Sequence, residues 1–190
     1  MHTKEPIFGM VLESFWLLYR CMIPYTNSST FLFSLTQGTA RSTGGNIEAI
    51  QSDCYGWNNL SAFIARCIRS GLLDRFEKSC GYPLYDIPKG LQEYHPVETV
   101  QRCFITVAVQ YILLAGTKIY QELIEKPAQG SETQMQALNK WENWAQRFKE
   151  VAHLEGRDSE LGRAAREAHR KMVTLQAMMT GASLATEAHK

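Results

Sequence analysis

Apolar residues recur at spacings of three and four along most of the chain, which is the period of one face of an α-helix. The first such stripe covers residues 8–22 and stops before Pro24, because the residue preceding a proline avoids the α-helical region. A short helix at residues 31–35 can follow. No segment alternates convincingly between apolar and polar residues as a half-buried strand does, so the pattern predicts an all-α fold.

The helical pattern is interrupted at two places. Residues 37–56 are rich in glycine, serine, threonine and asparagine without a sustained period, which is typical of a flexible loop, although a short helical turn at residues 47–50 can form. Order returns at Trp57 in a helix that ends before Gly71, a residue suited to the left-handed conformation beyond a helix C-terminus. The prolines and glycines of residues 81–96 allow only a short helix there.

Residues 97–125 form the most apolar helix of the chain. Pro96 suits the start of this helix, where its missing N–H would have no intrahelical acceptor. The run 103–115 is apolar on nearly every side, and a helix of this kind is buried on every side. We therefore expect residues 97–125 to be the central helix of the domain.

Two amphipathic helices complete the pattern. The first covers residues 131–155 and carries Trp141 and Trp144 on its apolar face. The second can be capped by Asp158 or Ser159. Its apolar residues alternate at spacings of four and three, as in a heptad seam: Leu161, Ala165, Ala168, Met172, Leu175 and Met179.

Together these elements predict a single domain over residues 1–190, with frayed ends at residues 1–6 and 181–190. The expected architecture is an all-α bundle of about five to seven helices around the buried central helix. A chain of 190 residues fits one hydrophobic core. Its content of 45% hydrophobic and 21% charged residues is that of a globular protein.

Charge and apolar segments narrow the possible partners. A formal net charge of +1 provides no long-range field to attract nucleic acid or an anionic membrane. The longest apolar run, residues 103–116, is too short to span a bilayer and contains Gln110. The N-terminal apolar stretch carries Glu13 and Arg20, and no small-residue cleavage site follows it. We therefore expect an intracellular, cytoplasmic protein without nucleic-acid or membrane partners.

The cysteines and histidines do not form a ligand pattern. The five cysteines are an odd number without CxxC spacing, and the five histidines are scattered along the chain. Zinc sites need converging ligands that come in closely spaced pairs. We expect buried reduced thiols, no metal site and no cofactor.

Three stretches carry a family resemblance. Residues 57–66 read WNNLSAFIAR, residues 108–116 read AVQYILLAG, and Trp141 is followed by Trp144 and Phe148. In this order, these stretches resemble a fungal all-helical family that is catalogued as domain-of-unknown-function family 3632. The resemblance covers most of the chain up to the C-terminal helix.

The chain departs from the family pattern at a few positions. Ser61 stands where the family favours asparagine, and Lys140 stands where it favours arginine. The region before Trp57 is shorter and richer in glycine than in the family. The resemblance implies an all-helical fold and a fungal source, and it implies no reaction, because no activity belongs to the family as a whole.

Candidate ligand-binding residues lie around the central helix. Gln110 sits midway along it and can orient a ligand in a pocket between helices, or it can be a structural tie to backbone or to Asn58 or Asn59. Trp57, Trp141 and Trp144 can build an aromatic pocket, or they can belong to the packed core. Tyr111 and Asn58 are the other candidate ligand-binding residues.

Candidate proton-transfer groups cluster in sequence just before the central helix. Asp86, Tyr94 and His95 could provide a general acid or base if they converge. The alternative is a polar loop whose tyrosines lie over the surface.

Two classes of function remain open. The chain contains no GxSxG, no phosphate-binding glycine loop and no HExxH, so common enzyme classes are not favoured, and whether it is an enzyme stays undecided. The first hypothesis is a non-catalytic protein-interaction or regulatory module that binds a partner, or forms a homodimer, through the 161–179 helix. The alternative is a small-molecule-binding protein or a cofactor-free isomerase or cyclase of fungal secondary metabolism, with an apolar pocket near Gln110.

Overall fold

The computed structural model describes residues 47–73, 81–125 and 133–187. These residues contain five helices and no strand: α1 (Ile47–Arg69), α2 (Gly81–Leu91), α3 (Glu98–Glu125), α4 (Gln134–Leu154) and α5 (Glu160–Glu187). The helices pack against one another, which confirms the all-α helical bundle. Apart from Ile47, the described residues belong to one compact unit, Glu48–Lys190.

Some predicted elements lie outside the residues that the structure describes. The helices expected at residues 8–22 and 31–35, the loop section 37–46 and the end 1–6 all lie there. The single-domain organisation over residues 1–190 stays a prediction.

Helix α3 occupies the centre of the bundle, as its apolar run predicts. It packs against α2, α4 and α5, and it also contacts α1. Its side chains at several turns are fully removed from solvent: Val107, Ala108, Tyr111, Ile112 and Ile119. Burying each large apolar side chain stabilises the fold by roughly 1.5–3 kcal/mol, so this helix supplies much of the driving force for folding.

The apolar character of α3 is also compatible with a membrane-spanning helix, and the burial of α3 bears on this alternative. By length and composition alone, the segment Glu98–Ile124 could cross a membrane. However, 67% of its most apolar window is buried inside the protein, as in the core helix of a bundle.

Helix α1 runs beside α3 in the same direction. Cys103 Sγ lies 3.8 Å from the carbonyl oxygen of Cys54, and the Ser61 hydroxyl lies further along beside that of Tyr111. Because helix α1 begins at Ile47, the loop expected at residues 37–56 is wrong for residues 47–56, which are helical. Burial of Cys54 and Trp57 offsets the low helix propensity of the glycine between them.

The C-terminus of α1 ends as the sequence predicts. Gly71 has a φ of +72°, a conformation that glycine adopts without a Cβ clash. The N–H groups of Gly71 and Leu72 donate to the carbonyl oxygens of Ile68 and Cys67, each at 3.0 Å. These bonds satisfy two carbonyls at the end of the helix.

Helices α2 and α3 meet at a point of close backbone approach. A Cβ added to Gly90 would lie 2.5 Å from the carbonyl oxygen of Phe104 on α3, so only glycine fits there. Helix α2 extends over 11 residues although it contains Pro83 and Pro88. Pro83 lies in the first turn, where no N–H is needed, whereas Pro88 removes one hydrogen bond from the interior.

Helices α4 and α5 form an antiparallel hairpin. Thr133 and Gln136 form a capping box at the start of α4, and the Ser159 hydroxyl accepts from the Gly162 N–H at 2.8 Å at the start of α5. The Ser159 cap is one of the two predicted alternatives. Between the helices, Arg166 donates to the carbonyl oxygens of Ala152, Gly156 and Arg157, which satisfies the end of α4.

The heptad seam of α5 is used within the chain. Its first four members are buried: Leu161, Ala165, Ala168 and Met172. Helix α5 continues beyond the packed seam to Glu187, so the backbone of residues 181–187 is helical. The expected fraying of residues 181–190 stays a prediction.

The close approach of α2 and α3 makes a specific prediction about Gly90. We expect Gly90→Ala to lower the free energy of unfolding by roughly 1–3 kcal/mol, because the added methyl group meets backbone that cannot rotate away. Gly56→Ala is the matched control: nothing lies within 4 Å of its added Cβ, and the exchange should stabilise α1 by roughly 0.5–1 kcal/mol. Urea unfolding followed by circular dichroism measures both. Equal effects of the two exchanges would contradict the close approach.

Candidate functional site

The three predicted proton-transfer residues do not converge. Tyr94 is 85% exposed, whereas Asp86 is buried in the core. His95 is also buried: its ring stacks on Phe104 with a centroid distance of 4.5 Å, and its Nε2 lies 3.2 Å from the Lys89 carbonyl oxygen. Each side chain thus faces a different environment.

His95 belongs to a joint between α2 and α3 that involves a residue missed by the sequence analysis. The side-chain amide of Gln101 accepts from the His95 N–H at 2.9 Å and donates to the Gly90 carbonyl oxygen at 3.1 Å. One amide therefore satisfies both the end of α2 and the connecting loop. Glutamine on a helix surface is common, and only the folded arrangement distinguishes this one.

Asp86 finds a different partner, Tyr111 of the central helix. The Tyr111 hydroxyl donates to Asp86 Oδ2 at 3.3 Å, and both residues are at most 1% exposed. The Ser61 hydroxyl lies beside that of Tyr111, although no group among the described residues completes a hydrogen bond to Ser61 Oγ with full geometry. A buried polar cluster, Ser61–Asp86–Tyr111, thus joins α1, α2 and α3.

Burial controls the ionisation of this cluster. It raises the pKa of Asp86 to about 7, against smaller lowering effects of the Tyr111 hydrogen bond and the Lys89 charge. The pKa of Tyr111 is raised well above its usual value, mainly by burial and then by the Asp86 charge. Near neutral pH the carboxyl can hold or release a proton, but no substrate reaches it unless the packing opens.

The predicted ligand-binding residues each have different surroundings in the fold. The indole N–H of Trp141 donates to the Met172 carbonyl oxygen at 3.3 Å, and Trp57 lies in the core. Asn58 Oδ1 accepts a weak contact from Cys103 Sγ at 3.8 Å. Gln110 is partly exposed, and its buried Oε1 has no hydrogen-bond partner among the described residues, so the predicted tie through this oxygen to Asn58 does not form.

An open cleft of about 410 Å³ lies over the C-terminal half of α3, and we call it the basic pocket. Three helices supply its cations: Arg69 from the last turn of α1, Lys118 from α3 and Lys171 from α5. The remaining lining residues all come from α3: Leu113, Leu114, Ala115, Thr117 and Gln121. No lining residue is acidic.

Lys171 is held against the wall of the basic pocket. Its Nζ donates to the Leu113 carbonyl oxygen at 2.6 Å. Its pKa is lowered, first by burial and then by the neighbouring Arg69 charge, while Glu167 raises it less. Arg69 and Lys171 therefore repel one another, and a bound anion would relieve that repulsion.

The basic pocket could not be predicted from the sequence because its cations are far apart along the chain. No local run of basic residues marks Arg69, Lys118 or Lys171, and the net charge of +1 hides them. Gln110 lies one turn before Leu114 on the same face of α3, so the predicted pocket position is adjacent to the basic pocket but not within its lining.

The described residues offer no metal centre. In residues 47–73, 81–125 and 133–187, no three histidine, cysteine or acidic side chains are grouped to hold a metal ion. Cys54, Cys67 and Cys103 lie buried there as free thiols. A hydrogen bond between the thiols of Cys103 and Cys54 lowers the pKa of Cys54 and raises the pKa of Cys103.

The raised pKa of Asp86 predicts a pH-dependent stability. The unfolded chain ionises this carboxyl near its ordinary pKa of 3.8, whereas the folded protein keeps it protonated to about 7. The contribution of this carboxyl to the free energy of unfolding should therefore be largest below about pH 4. It should fall by up to roughly 4 kcal/mol as the pH rises from about 4 to 7. Asp86→Asn should flatten this part of the profile, measured by urea unfolding at several pH values.

The exposed Asp53 on α1 provides the control for this experiment. Asp53→Asn changes the same functional group at the surface and should retain the wild-type slope. If Asp86→Asn and Asp53→Asn gave the same profile, the proposed buried proton on Asp86 would be wrong.

Comparison with known proteins adds one finding to this geometry. Neither the curated proteins nor the solved structures contain a match to the chain. A family model described as "Protein of unknown function (DUF3632)" matches residues 5–148, which include α1 to α3 and most of α4. The fungal source and the likeness of the C-terminal helix stay predictions. The match covers most of the chain, and the chain therefore belongs to this family of unknown function.

Proposed function

We propose that this chain is a small-molecule-binding domain whose ligand carries an anionic group held in the basic pocket. The observation that supports the proposal is the convergence of Arg69, Lys118 and Lys171, from three different helices, on one cleft. The volume of about 410 Å³ falls in the range of small-molecule sites, roughly 300–1,000 Å³.

The composition of the pocket wall favours an anion with an apolar portion. Leu113, Leu114 and Ala115 supply apolar surface, while Thr117 and Gln121 can exchange hydrogen bonds with a polar ligand. Three cations without an acidic lining residue are poorly matched to a neutral ligand. A small metabolite with a phosphate or carboxylate group fits this combination.

The basic pocket differs in position and charge from the small-molecule pocket that the sequence predicts. That prediction placed an apolar pocket near Gln110, and the described pocket lies one turn further along α3 and is basic. The cofactor-free isomerase or cyclase of secondary metabolism stays a prediction, as does the cytoplasmic location.

A second candidate is the protein-interaction module, which two exposed side chains favour. Val173 and Met178 on α5 are 49% and 65% exposed. The first four seam residues face the interior, so a partner or second copy would contact the opposite side of the 161–179 helix. Methionine adapts its shape to different partner surfaces.

Anion binding is tested by thermal shift and calorimetry at constant ionic strength. We expect pyrophosphate and citrate to raise the melting temperature above that in chloride, because ligands that bind only the folded state stabilise it. Arg69→Gln should weaken binding by roughly tenfold or more, since a hydrogen bond to a charged group is worth about 1.5–3 kcal/mol.

The control is Arg170→Gln, which removes an equal charge from an exposed position on α5 next to Lys171. It should retain most of the affinity, because its residue is not in the pocket lining. Equal losses in the two variants would indicate a general charge effect, and the absence of any anion-specific shift would refute the proposal.

Self-association is tested by light scattering over a range of protein concentrations. If α5 forms a dimer through its outer side, the paired change Val173→Glu and Met178→Glu should give a monomer, because buried unpaired charges oppose association. Met135→Glu places one such charge on an exposed methionine of α4 and should leave the mass unchanged. A wild-type monomer at all concentrations would exclude the homodimer.

A further inference from the structure

We propose that Lys171 acts as an amine nucleophile in the basic pocket and forms a reversible imine with an anion that carries an aldehyde or ketone group. This inference rests on the proposed function and specifies its ligand class. It assigns different tasks to the cations: Arg69 and Lys118 hold the anionic group, and Lys171 reacts with the carbonyl carbon.

The position of the Lys171 amine suits this role. Its Nζ lines the cleft and is fixed by one hydrogen bond, 2.6 Å long, to the Leu113 carbonyl oxygen. A neutral amine keeps two N–H groups and gains a lone pair. It can therefore retain the bond to Leu113 with one N–H while the lone pair reaches a ligand carbonyl.

The close packing of α3 and α5 positions the lysine stem. A Cβ placed on Gly116 would lie 3.5 Å from both Lys171 Cε and Leu175 Cδ1, which is ordinary contact distance. The stem therefore passes beside Gly116 and leaves room for a methyl group there. The hydrogen bond to the Leu113 carbonyl oxygen limits the freedom of the amine, and a fixed nucleophile loses less entropy on reaction.

Burial and a neighbouring charge ease the deprotonation of Lys171 in the empty pocket. Burial, and after it Arg69, lower its pKa, while Glu167, one turn earlier on α5, raises it less. Lys118 and Gln121 face the same cleft from α3. A lysine activated by desolvation and a neighbouring cation is a known route to an amine nucleophile at moderate pH.

The reaction balances without an oxidant or reductant. The lone pair of the Lys171 amine forms a C–N bond to the carbonyl carbon. The two N–H protons of the amine pass through solvent to the carbonyl oxygen, which leaves as water. The imine replaces the C=O double bond with C=N, and addition of water reverses the step. Borohydride, added in the experiment, donates hydride to this imine and converts it to a stable secondary amine.

The test uses the full chain with pyridoxal 5′-phosphate, a probe that contains both an aldehyde and a phosphate. After borohydride reduction, peptide mass spectrometry should locate the adduct mainly at Lys171. Lys149, an exposed lysine on α4, measures the reactivity of an ordinary surface amine in the same sample. Adducts that form at Lys149 as readily as at Lys171 would overturn the inference.

Two variants and a second probe separate this inference from the proposed function. Lys171→Arg keeps the positive charge and removes the primary amine, so it should lose the adduct but still bind pyridoxine 5′-phosphate, which has the phosphate and no aldehyde. Arg69→Gln should weaken both binding and adduct formation. Binding of pyridoxine 5′-phosphate without a selective Lys171 adduct would overturn the nucleophile and leave the anion site standing.

A third probe makes the amine test independent of the anion. Formaldehyde is neutral, and with a mild hydride donor it methylates lysines through the same imine chemistry. Methylation of Lys171 should begin at lower pH than that of Lys149, because the neutral amine is present at lower pH when the pKa is lowered. Identical pH profiles for the two lysines would refute the activated amine even if phosphate probes bind.

Discussion

The burial of helix α3 is the constraint on which the rest of the described structure depends. A helix that is apolar on nearly every side must be covered on every side, and α1, α2, α4 and α5 all contact it. The coverage requires a glycine at one close contact, because Gly90 admits the backbone of α3 at Phe104.

The same burial creates the main electrostatic cost of the core. Asp86 and Tyr111 are removed from water together with Ser61, and one hydrogen bond of 3.3 Å offsets only part of the desolvation. The carboxyl responds by holding its proton to about pH 7. A neutral carboxyl is cheaper to bury than a charged one, so the cluster links α1, α2 and α3 while adding a proton-dependent contribution to stability.

The basic pocket lies where the covering of α3 is incomplete. Near its C-terminal half, the end of α1 and the middle of α5 leave a cleft, and α1, α3 and α5 each contribute one cation to it. Repulsion between Arg69 and Lys171 is tolerated because the bundle is held together elsewhere by apolar packing. Like charges brought together in a cleft are typical of a functional site, and they connect the fold to the proposed anion binding.

The sequence by itself determined most of the helices of the described region, the central place of α3, the Gly71 end and the family, and it narrowed the cap of α5 to Asp158 or Ser159, because these features depend on local periodicity and local capping chemistry. It placed residues 47–56 in a loop because Gly56 and its polar neighbours have weak helix propensity, and contacts with α3 reverse that preference. Only the tertiary structure decided that Asp86 meets Tyr111 rather than His95. It alone also joined Arg69, Lys118 and Lys171, since convergence of side chains from different helices follows from packing geometry and leaves no periodic signal in the chain.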